Sequence, residues 1–141
     1  MQAVYFIGIG GIGMSAIARF FLNSGFFVAG YDKTPSQLTK TLEAEGAIIH
    51  YEDNIQLIPA ECQDKYNCLV IYTPAIPNTH SELRFFKNNE FDLQKRAQVL
   101  GNLTRSLKGL CVAGTHGKTT TSSMLAHILN QSHIKCNAFL G

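Results

Sequence analysis

Residues 3–21 read AVYFIGIGGIGMSAIARFF, and this stretch decides the fold. It begins with a continuous apolar run, which is typical of a strand buried on both faces of a sheet. Glycines follow, and apolar residues then recur at helical spacing from Ile12 to Phe21, until Gly25 ends the pattern. The stretch therefore predicts a strand, a tight glycine turn and a helix, which is the opening unit of a parallel α/β sheet.

The glycines of this turn form a G-x-G-x-x-G pattern. In such a loop the first glycine permits the turn, the second lets the backbone approach a diphosphate, and the third lets helix and strand pack closely. An acid ends the next apolar run, 19 residues after the third glycine, where a carboxylate can reach a ribose hydroxyl. We interpret the loop as a diphosphate site, and the pattern leaves NAD, FAD and a sugar nucleotide open. The candidate residues are Gly8, Gly10, Gly11, Ile12, Gly13 and Asp32.

Strand-like runs alternate with helical patterns along the rest of the chain. Further strands are predicted at 26–32, 47–51, 68–73, 91–94, 109–114 and, at the start of one more, 135–140. Thr34 as N-cap with Pro35 after it predicts one helix start, and a capping box of Thr79 and Glu82 predicts another. The stretch 52–66 predicts a short helix or loop. The alternation predicts a Rossmann-like, mostly parallel sheet with helices on both faces.

A second loop, GTHGKTT at 114–120, follows the strand-like run 109–114. It is a shortened form of G-x-x-x-x-G-K-[ST], because Val112 stands where that pattern has its first glycine. Its amides can cradle phosphates, its lysine can pair with β- and γ-phosphates, and the next threonine can offer a hydroxyl to Mg²⁺. The candidate ATP-binding residues are Gly114, Thr115, His116, Gly117, Lys118, Thr119 and Thr120, with Lys118 and Thr119 as catalytic candidates and Thr119 as the metal candidate.

The two loops lie 106 residues apart, which predicts two successive α/β units. We predict a Rossmann-like domain over 1–108 and, over 109–141, the first strand, P-loop and helix of a second α/β domain. Two loops in one chain favour an ATP-consuming enzyme whose other substrate carries a diphosphate. The loop after the strand at 68–73 is expected to line the same cleft as the glycine loop, since α/β sheets bind ligands at the carboxyl ends of their strands. Its candidate residues are Thr73, Pro74 and Ala75.

FIGIGGIGMSAIA and VAGTHGKTTTSSMLA together resemble the two signatures of the Mur ligase family of peptidoglycan synthesis, and YTPAIPNTHSEL and KRAQVLGNL extend the resemblance over essentially the whole chain. It implies ATP- and Mg²⁺-dependent coupling of L-alanine to UDP-N-acetylmuramate through an acyl phosphate, with the UDP-sugar on the first domain. It also implies that the acidic Mg²⁺ ligands, the adenine pocket and the alanine site lie beyond Gly141. The chain is then expected to bind the UDP-sugar, to bind ATP poorly and not to catalyse ligation alone.

Composition argues against several other functions. The net charge of +2 and the scattered basic residues argue against nucleic acid, and no apolar run is long enough for a membrane span. The four cysteines form no CxxC pair, which fits a cytoplasmic protein. The alternatives are the related ligase that recycles a murein tripeptide, an NAD(P)-dependent oxidoreductase domain and a non-catalytic nucleotide-binding module. Oligomeric state is not predicted.

Overall fold

The computed structural model describes residues 2–134 and 136–139. The elements are β1 Ala3–Ile7, α1 Ile12–Asn23, β2 Phe27–Tyr31, α2 Gln37–Ala44, β3 Ile48–His50, β4 Cys68–Tyr72, α3 Ser81–Asn88, β5 Asp92–Lys95, α4 Arg96–Ser106 and α5 Lys118–Gln131. The five strands form one sheet in the order β3-β2-β1-β4-β5, and every pair of neighbouring strands is parallel. The stretch 52–66 holds two single 3₁₀ turns, Ile55–Leu57 and Ala60–Cys62. The Rossmann-like α/β prediction is confirmed.

The central strand β1 is buried along its whole length, because it pairs with β2 on one side and β4 on the other and is covered on both faces. On one face Val4 and Phe6 pack against α1, α2 and α4. On the other face Tyr5 and Ile7 pack against α3 and the 3₁₀ turn that carries Cys62. This explains why the sequence of β1 is continuously apolar rather than alternating.

The chain reverses its winding direction between β1 and β4, since β2 and β3 lie to one side of β1 and β4 and β5 to the other. In sheets of this kind ligands bind beyond the carboxyl ends of the strands at that switch point. The loops that follow β1 and β4 both emerge there.

The start of α2 differs from the prediction, since the N-cap is Ser36 and not Thr34. The Ser36 hydroxyl accepts a hydrogen bond from the Thr39 amide at 3.2 Å, and the Thr39 hydroxyl accepts one from the Ser36 amide at 2.9 Å. The Thr34 amide instead donates to Asp32 Oδ1 at 3.2 Å, which holds Thr34 in the turn after β2. The predicted cap was wrong by two residues because Asp32 competes for this segment.

The start of α3 also differs, because its N-cap is His80 and the predicted Thr79–Glu82 capping box does not form. The Asp53 carboxylate, from a distant part of the chain, accepts hydrogen bonds from the Ser81 and Glu82 amides. A long-range cap of this kind leaves no local sequence pattern. The Glu82 side chain is free of a capping role and is fully buried.

The predicted strand at 109–114 is absent from the structure. A strand needs a neighbour with which to pair its amides and carbonyls, and no described strand pairs with this run. Leu110 and Cys111 are exposed accordingly.

The helix after the lysine loop does form, as α5, but buries none of its residues. The strand predicted from 135 does not form over 136–139, and residues 135 and 140 lie outside the described residues. No helix of the described chain is long and apolar enough to cross a bilayer.

The cap of α2 can be tested by substitution. Ser36→Ala should lower the free energy of unfolding by about 1 kcal/mol, because the Thr39 amide loses its acceptor. Thr34→Ala is the matched control and should change stability by less than about 0.5 kcal/mol. Urea denaturation of both variants measures the difference, and a Thr34→Ala cost as large as that of Ser36→Ala would contradict the assignment.

Candidate functional site

The loops after β1 and β4 lie side by side. Ile7 pairs with Tyr72 at the ends of the two strands, so Gly8 and Thr73 emerge together. A Cβ atom on Gly8 would lie 3.5 Å from Thr73 Cγ2 and 3.5 Å from Ile76 Cδ1. Gly8 also has φ +89°, a conformation that favours glycine. The structure thus brings the glycine loop and the 73–75 loop to one edge of the sheet.

The Asp32 carboxylate fixes the glycine loop. Its Oδ2 atom accepts a hydrogen bond of 2.7 Å from the Gly10 amide. A Cβ on Gly10 would lie 2.8 Å from Asp32 Oδ2 and 2.8 Å from Thr39 Cγ2. The sequence interpretation gave Gly10 the role of admitting a diphosphate; in the structure, the space that a Cβ would need is taken by Asp32 and Thr39.

The first turn of α1 presents unpaired amides at this edge. Its N-cap is Gly11, no side chain caps the helix, and the first turn contains no acidic residue. The first N–H groups of a helix have no partner within it, and the helix dipole favours an anion there. Ile12, predicted as part of the apolar stripe, is instead 68% exposed at this edge.

Arg96 is a candidate site residue that the sequence analysis missed. It begins α4 directly after β5, and its guanidinium occupies the position that a Cβ on Gly13 would need. Gly13 was interpreted as a residue that lets helix and strand pack closely, but the structure shows that it makes room for this cation. Arg96 forms no ion pair within the described residues. The sequence could have indicated Arg96 as a candidate, because it directly follows a strand of a parallel sheet and ligands bind at the carboxyl ends of such strands.

A cavity of about 340 Å³ adjoins the glycine loop. Tyr31, Lys33, Asp53, Ile76 and His80 contribute to its wall. Ile76 also approaches Gly8, so the cavity continues the cleft between the two loops. A larger cavity of about 540 Å³ lies along β5 and α4, and none of its lining residues belongs to the glycine loop or to the lysine loop.

A network of buried polar side chains lies next to the residues that line this cavity. The Tyr5 hydroxyl donates to Glu82 Oε2 at 2.7 Å and lies 2.8 Å from His50 Nε2. The Asn54 amide donates to Glu82 Oε1 at 3.3 Å. Burial raises the pKa of Glu82 to about 7, although these hydrogen bonds oppose the shift. Burial and then the Glu82 charge raise the pKa of Tyr5, and burial lowers the pKa of His50.

Asp53 joins this network to α3. Burial alone would raise the pKa of Asp53, but hydrogen bonds from the Ser81 and Glu82 amides outweigh it and lower the pKa. Asp53 therefore stays ionised as the cap of α3 and as part of the cavity wall.

The lysine loop lies in the exposed C-terminal part of the structure. Gly117 has φ +75° and caps α5 without a side-chain hydrogen bond, so the first amides of α5 are free. Lys118 Nζ donates to the Gly114 carbonyl at 2.6 Å, within the loop itself. No hydrogen bond in the described part of the chain joins this loop to the glycine loop. Across 2–134 and 136–139, no cluster of three or more His, Cys, Asp and Glu could hold a metal ion.

The Asp32–Gly10 contact gives a stability prediction. Gly10→Ala should lower the free energy of unfolding by about 1–3 kcal/mol, because the new methyl group overlaps Asp32 and Thr39. Gly11→Ala is the control, since a Cβ there would be 3.8 Å from its nearest neighbour and Gly11 has an ordinary φ of −65°. Thermal unfolding of the two variants measures this, and equal stability would contradict the packing described.

The buried Glu82 predicts a pH dependence. Its folded pKa lies above the ordinary value of 4.5, so its contribution to stability is fully present below about pH 4.5 and is lost as pH rises through about 7. The wild type should therefore lose stability relative to Glu82→Gln over this range, by on the order of 3 kcal/mol.

Urea denaturation at a series of pH values measures this difference. Glu61→Gln, at an exposed glutamate, is the control and should follow the wild type at every pH. A constant difference between Glu82→Gln and the wild type from pH 4.5 to 7.5 would contradict the prediction.

Comparison with known proteins identifies the family to which this chain belongs. A family model described as the Mur ligase family, catalytic domain, matches residues 3–108. The chain is 60% identical over 141 residues to the UDP-N-acetylmuramate–L-alanine ligase of Phocaeicola vulgatus and 62% identical to that of Parabacteroides distasonis. It covers 100% of its own length in both matches, but only 31% and 30% of those relatives.

Solved structures give the same result. The UDP-N-acetylmuramate-alanine ligase of Thermotoga maritima superposes with a TM-score of 0.83 at 29% identity, over 94% of this chain and 30% of that one. The UDP-N-acetylmuramate:L-alanyl-γ-D-glutamyl-meso-diaminopimelate ligase of Neisseria meningitides gives 0.78 at 28% identity, over 94% and 40%. The chain belongs to the Mur ligase family.

Proposed function

We propose that this chain is the nucleotide-sugar-binding portion of an ATP-dependent ligase that joins L-alanine to UDP-N-acetylmuramate. The observation that carries the proposal is the meeting of two positive features at the switch point, the free amides of α1 and the Arg96 guanidinium. The names of the relatives that match it over its whole length support the choice of substrate.

The diphosphate of the UDP-sugar would lie across the first turn of α1. The amides that follow Gly11 would donate to its oxygen atoms, and Arg96 would pair with its charge from the side of α4. Gly8, Gly10 and Gly13 would shape the loop, and Thr73, Pro74 and Ala75 would form the opposite wall. Asp32 has its two oxygen atoms on the Gly10 and Thr34 amides, and a carboxylate has further lone pairs for a ribose hydroxyl.

The lysine loop would serve ATP. The free amides of α5 and the αL turn at Gly117 form an anion cradle, and no acidic side chain in the first turn opposes a triphosphate. Lys118 would exchange the Gly114 carbonyl for phosphate oxygens, and Thr119 would offer its hydroxyl to Mg²⁺, with Thr115, His116 and Thr120 around the phosphates. When bound, ATP would supply the phosphoryl group that activates the sugar's carboxylate, and Mg²⁺ would neutralise charge on the phosphate oxygens.

We also propose that residues 1–108 form the UDP-sugar domain and that residues 109–141 belong to the ATP-binding domain. The exposed run at 109–114 and the unburied helix α5 support this division, because both leave large apolar side chains exposed in the described structure, namely Leu110, Met124 and Ile128. Ligation would then need the further chain that the relatives have, including the acids for Mg²⁺ and the L-alanine site.

Calorimetry with UDP-N-acetylmuramate tests the proposed site. The 141-residue chain should bind this ligand and give no heat with NAD. Arg96→Ala should weaken binding by about tenfold to a hundredfold, which is the usual loss of affinity when one charge-assisted hydrogen bond is removed. The matched control is Arg105→Ala, an exposed arginine in the last turn of the same helix, and it should bind like the wild type.

Two results would contradict this proposal. One is NAD binding without any response to the UDP-sugar, which favours an oxidoreductase domain. The other is an equal effect of Arg96→Ala and Arg105→Ala, which would show that only net charge matters.

A further inference from the structure

Tyr5, Glu82 and His50 form a chain of polar contacts that links three elements of the fold. Tyr5 lies on β1, Glu82 on α3 and His50 at the end of β3, which is an edge strand of the sheet. The Tyr5 oxygen lies 2.7 Å from Glu82 Oε2 and 2.8 Å from His50 Nε2. The side chain of Glu82 is fully buried, and that of His50 is 12% exposed. The proposed function uses none of these three groups.

The other ring nitrogen of His50 determines what Nε2 can do. Nδ1 lies 2.9 Å from the Glu52 carbonyl oxygen, which can only accept a hydrogen bond. Nδ1 therefore carries a proton, and in a neutral ring Nε2 is an acceptor. Burial lowers the pKa of His50, which favours this neutral ring. When Glu82 is ionised, the Tyr5 hydroxyl therefore lies between two acceptors.

One hydroxyl hydrogen cannot serve both acceptors. When Glu82 is ionised, Tyr5 donates to its carboxylate, which is the stronger acceptor, and His50 Nε2 has no donor from Tyr5. When Glu82 is protonated, its own O–H can donate to the Tyr5 oxygen, and the Tyr5 hydroxyl can then donate to His50 Nε2. The chain of hydrogen bonds is complete only with this added proton. Burial raises the pKa of Glu82 to about 7, so the two arrangements exchange near neutral pH.

Other titratable groups surround this chain on the neighbouring elements. Asp53, in the segment after β3, is held ionised by the first amides of α3, which lower its pKa. Burial lowers the pKa of His80 at the N-cap of α3 and raises that of Tyr31 on β2. Cys62, on the second 3₁₀ turn, has its pKa raised by its hydrogen bond with Cys68 on β4 and then by burial. None of these shifts brings a group toward neutral pH, in contrast to the shift of the buried carboxyl group.

We propose that the Tyr5 hydroxyl is a pH-dependent switch, which ties His50 to Glu82 while Glu82 is protonated and releases the His50 ring when Glu82 ionises. The tie is present at low pH and is lost as pH rises through neutrality. It holds the end of β3, a strand of three residues at the edge of the sheet. The His50 carbonyl also accepts a hydrogen bond from the Asp32 amide at 3.1 Å, so the switch adjoins the residue that fixes the glycine loop.

Nuclear magnetic resonance of the 141-residue chain with ¹⁵N-labelled histidine tests the switch. As pH rises through neutrality, the His50 Nε2 resonance should move from that of a hydrogen-bonded acceptor to that of a free one, while Nδ1 keeps its proton. Glu82→Gln should remove this movement, because the carboxamide N–H can donate to Tyr5 at every pH. A proton on Nε2 alone, or an Nε2 resonance that stays in place in the wild type, would overturn the proposal. So would a movement that persists in Glu82→Gln, because it would report titration of the ring itself.

A second variant separates the switch from simple burial of Glu82. His50→Phe keeps a planar ring but removes the competing acceptor, so Tyr5 can donate to the ionised carboxylate without leaving His50 unpaired. The pKa of Glu82, followed through its ¹³C carboxyl resonance, should fall by about one pH unit. If burial alone governed this pKa, the more apolar neighbour would raise it, so an unchanged or raised pKa would overturn the proposal. His127→Phe, at an exposed histidine of α5, is the control and should leave the pKa of Glu82 as in the wild type.

Discussion

The hydrogen bond between the Gly10 amide and the Asp32 carboxylate, at 2.7 Å, is the constraint on which the site depends. It ties the loop after β1 to the end of β2, and Thr39 closes the same space from α2. Only a residue without a Cβ fits between them. The loop is held from this side, and α1 begins directly after it, at the carboxyl edge of the sheet, with no side-chain cap on its first turn. The same carboxylate also holds Thr34 and so determines that α2 begins two residues later than expected.

Long-range polar contacts position the other wall of the cleft. Tyr5 on β1 and the Asn54 amide both bond to Glu82, while Asp53 caps α3. These contacts join the centre of the sheet, the segment after β3 and the start of α3. They hold His80 where it forms part of the cavity wall. A buried carboxyl group is costly, and here hydrogen bonds from Tyr5 and Asn54 offset part of the cost.

Much of the fold can be predicted from the sequence, because the strands, helices and glycine turn depend on local patterns of residues. The apolar run at 3–9, the glycine spacing and the alternation of strands and helices predict the parallel sheet, and the loops after β1 and β4 fall at one edge as expected. The features that were wrong or missed depend on contacts distant in sequence. Asp53, which lies 26 residues before Thr79, accepts hydrogen bonds from the first amides of α3 in place of the predicted Thr79 cap. Arg96 lies on α4 and contacts Gly13 on α1. Likewise the run at 109–114 is apolar enough for a strand, but no described strand pairs with it and most of its residues are exposed.

The central claim is that the first turn of α1, between the loops after β1 and β4, holds the diphosphate of a uridine nucleotide. A crystal structure of the chain grown with UDP tests it most directly. The account predicts both phosphates within hydrogen-bond distance of the amides that follow Gly11, with the Arg96 guanidinium beside them. Phosphate density at the Gly114–Thr120 loop, with the first turn of α1 left free, would contradict it.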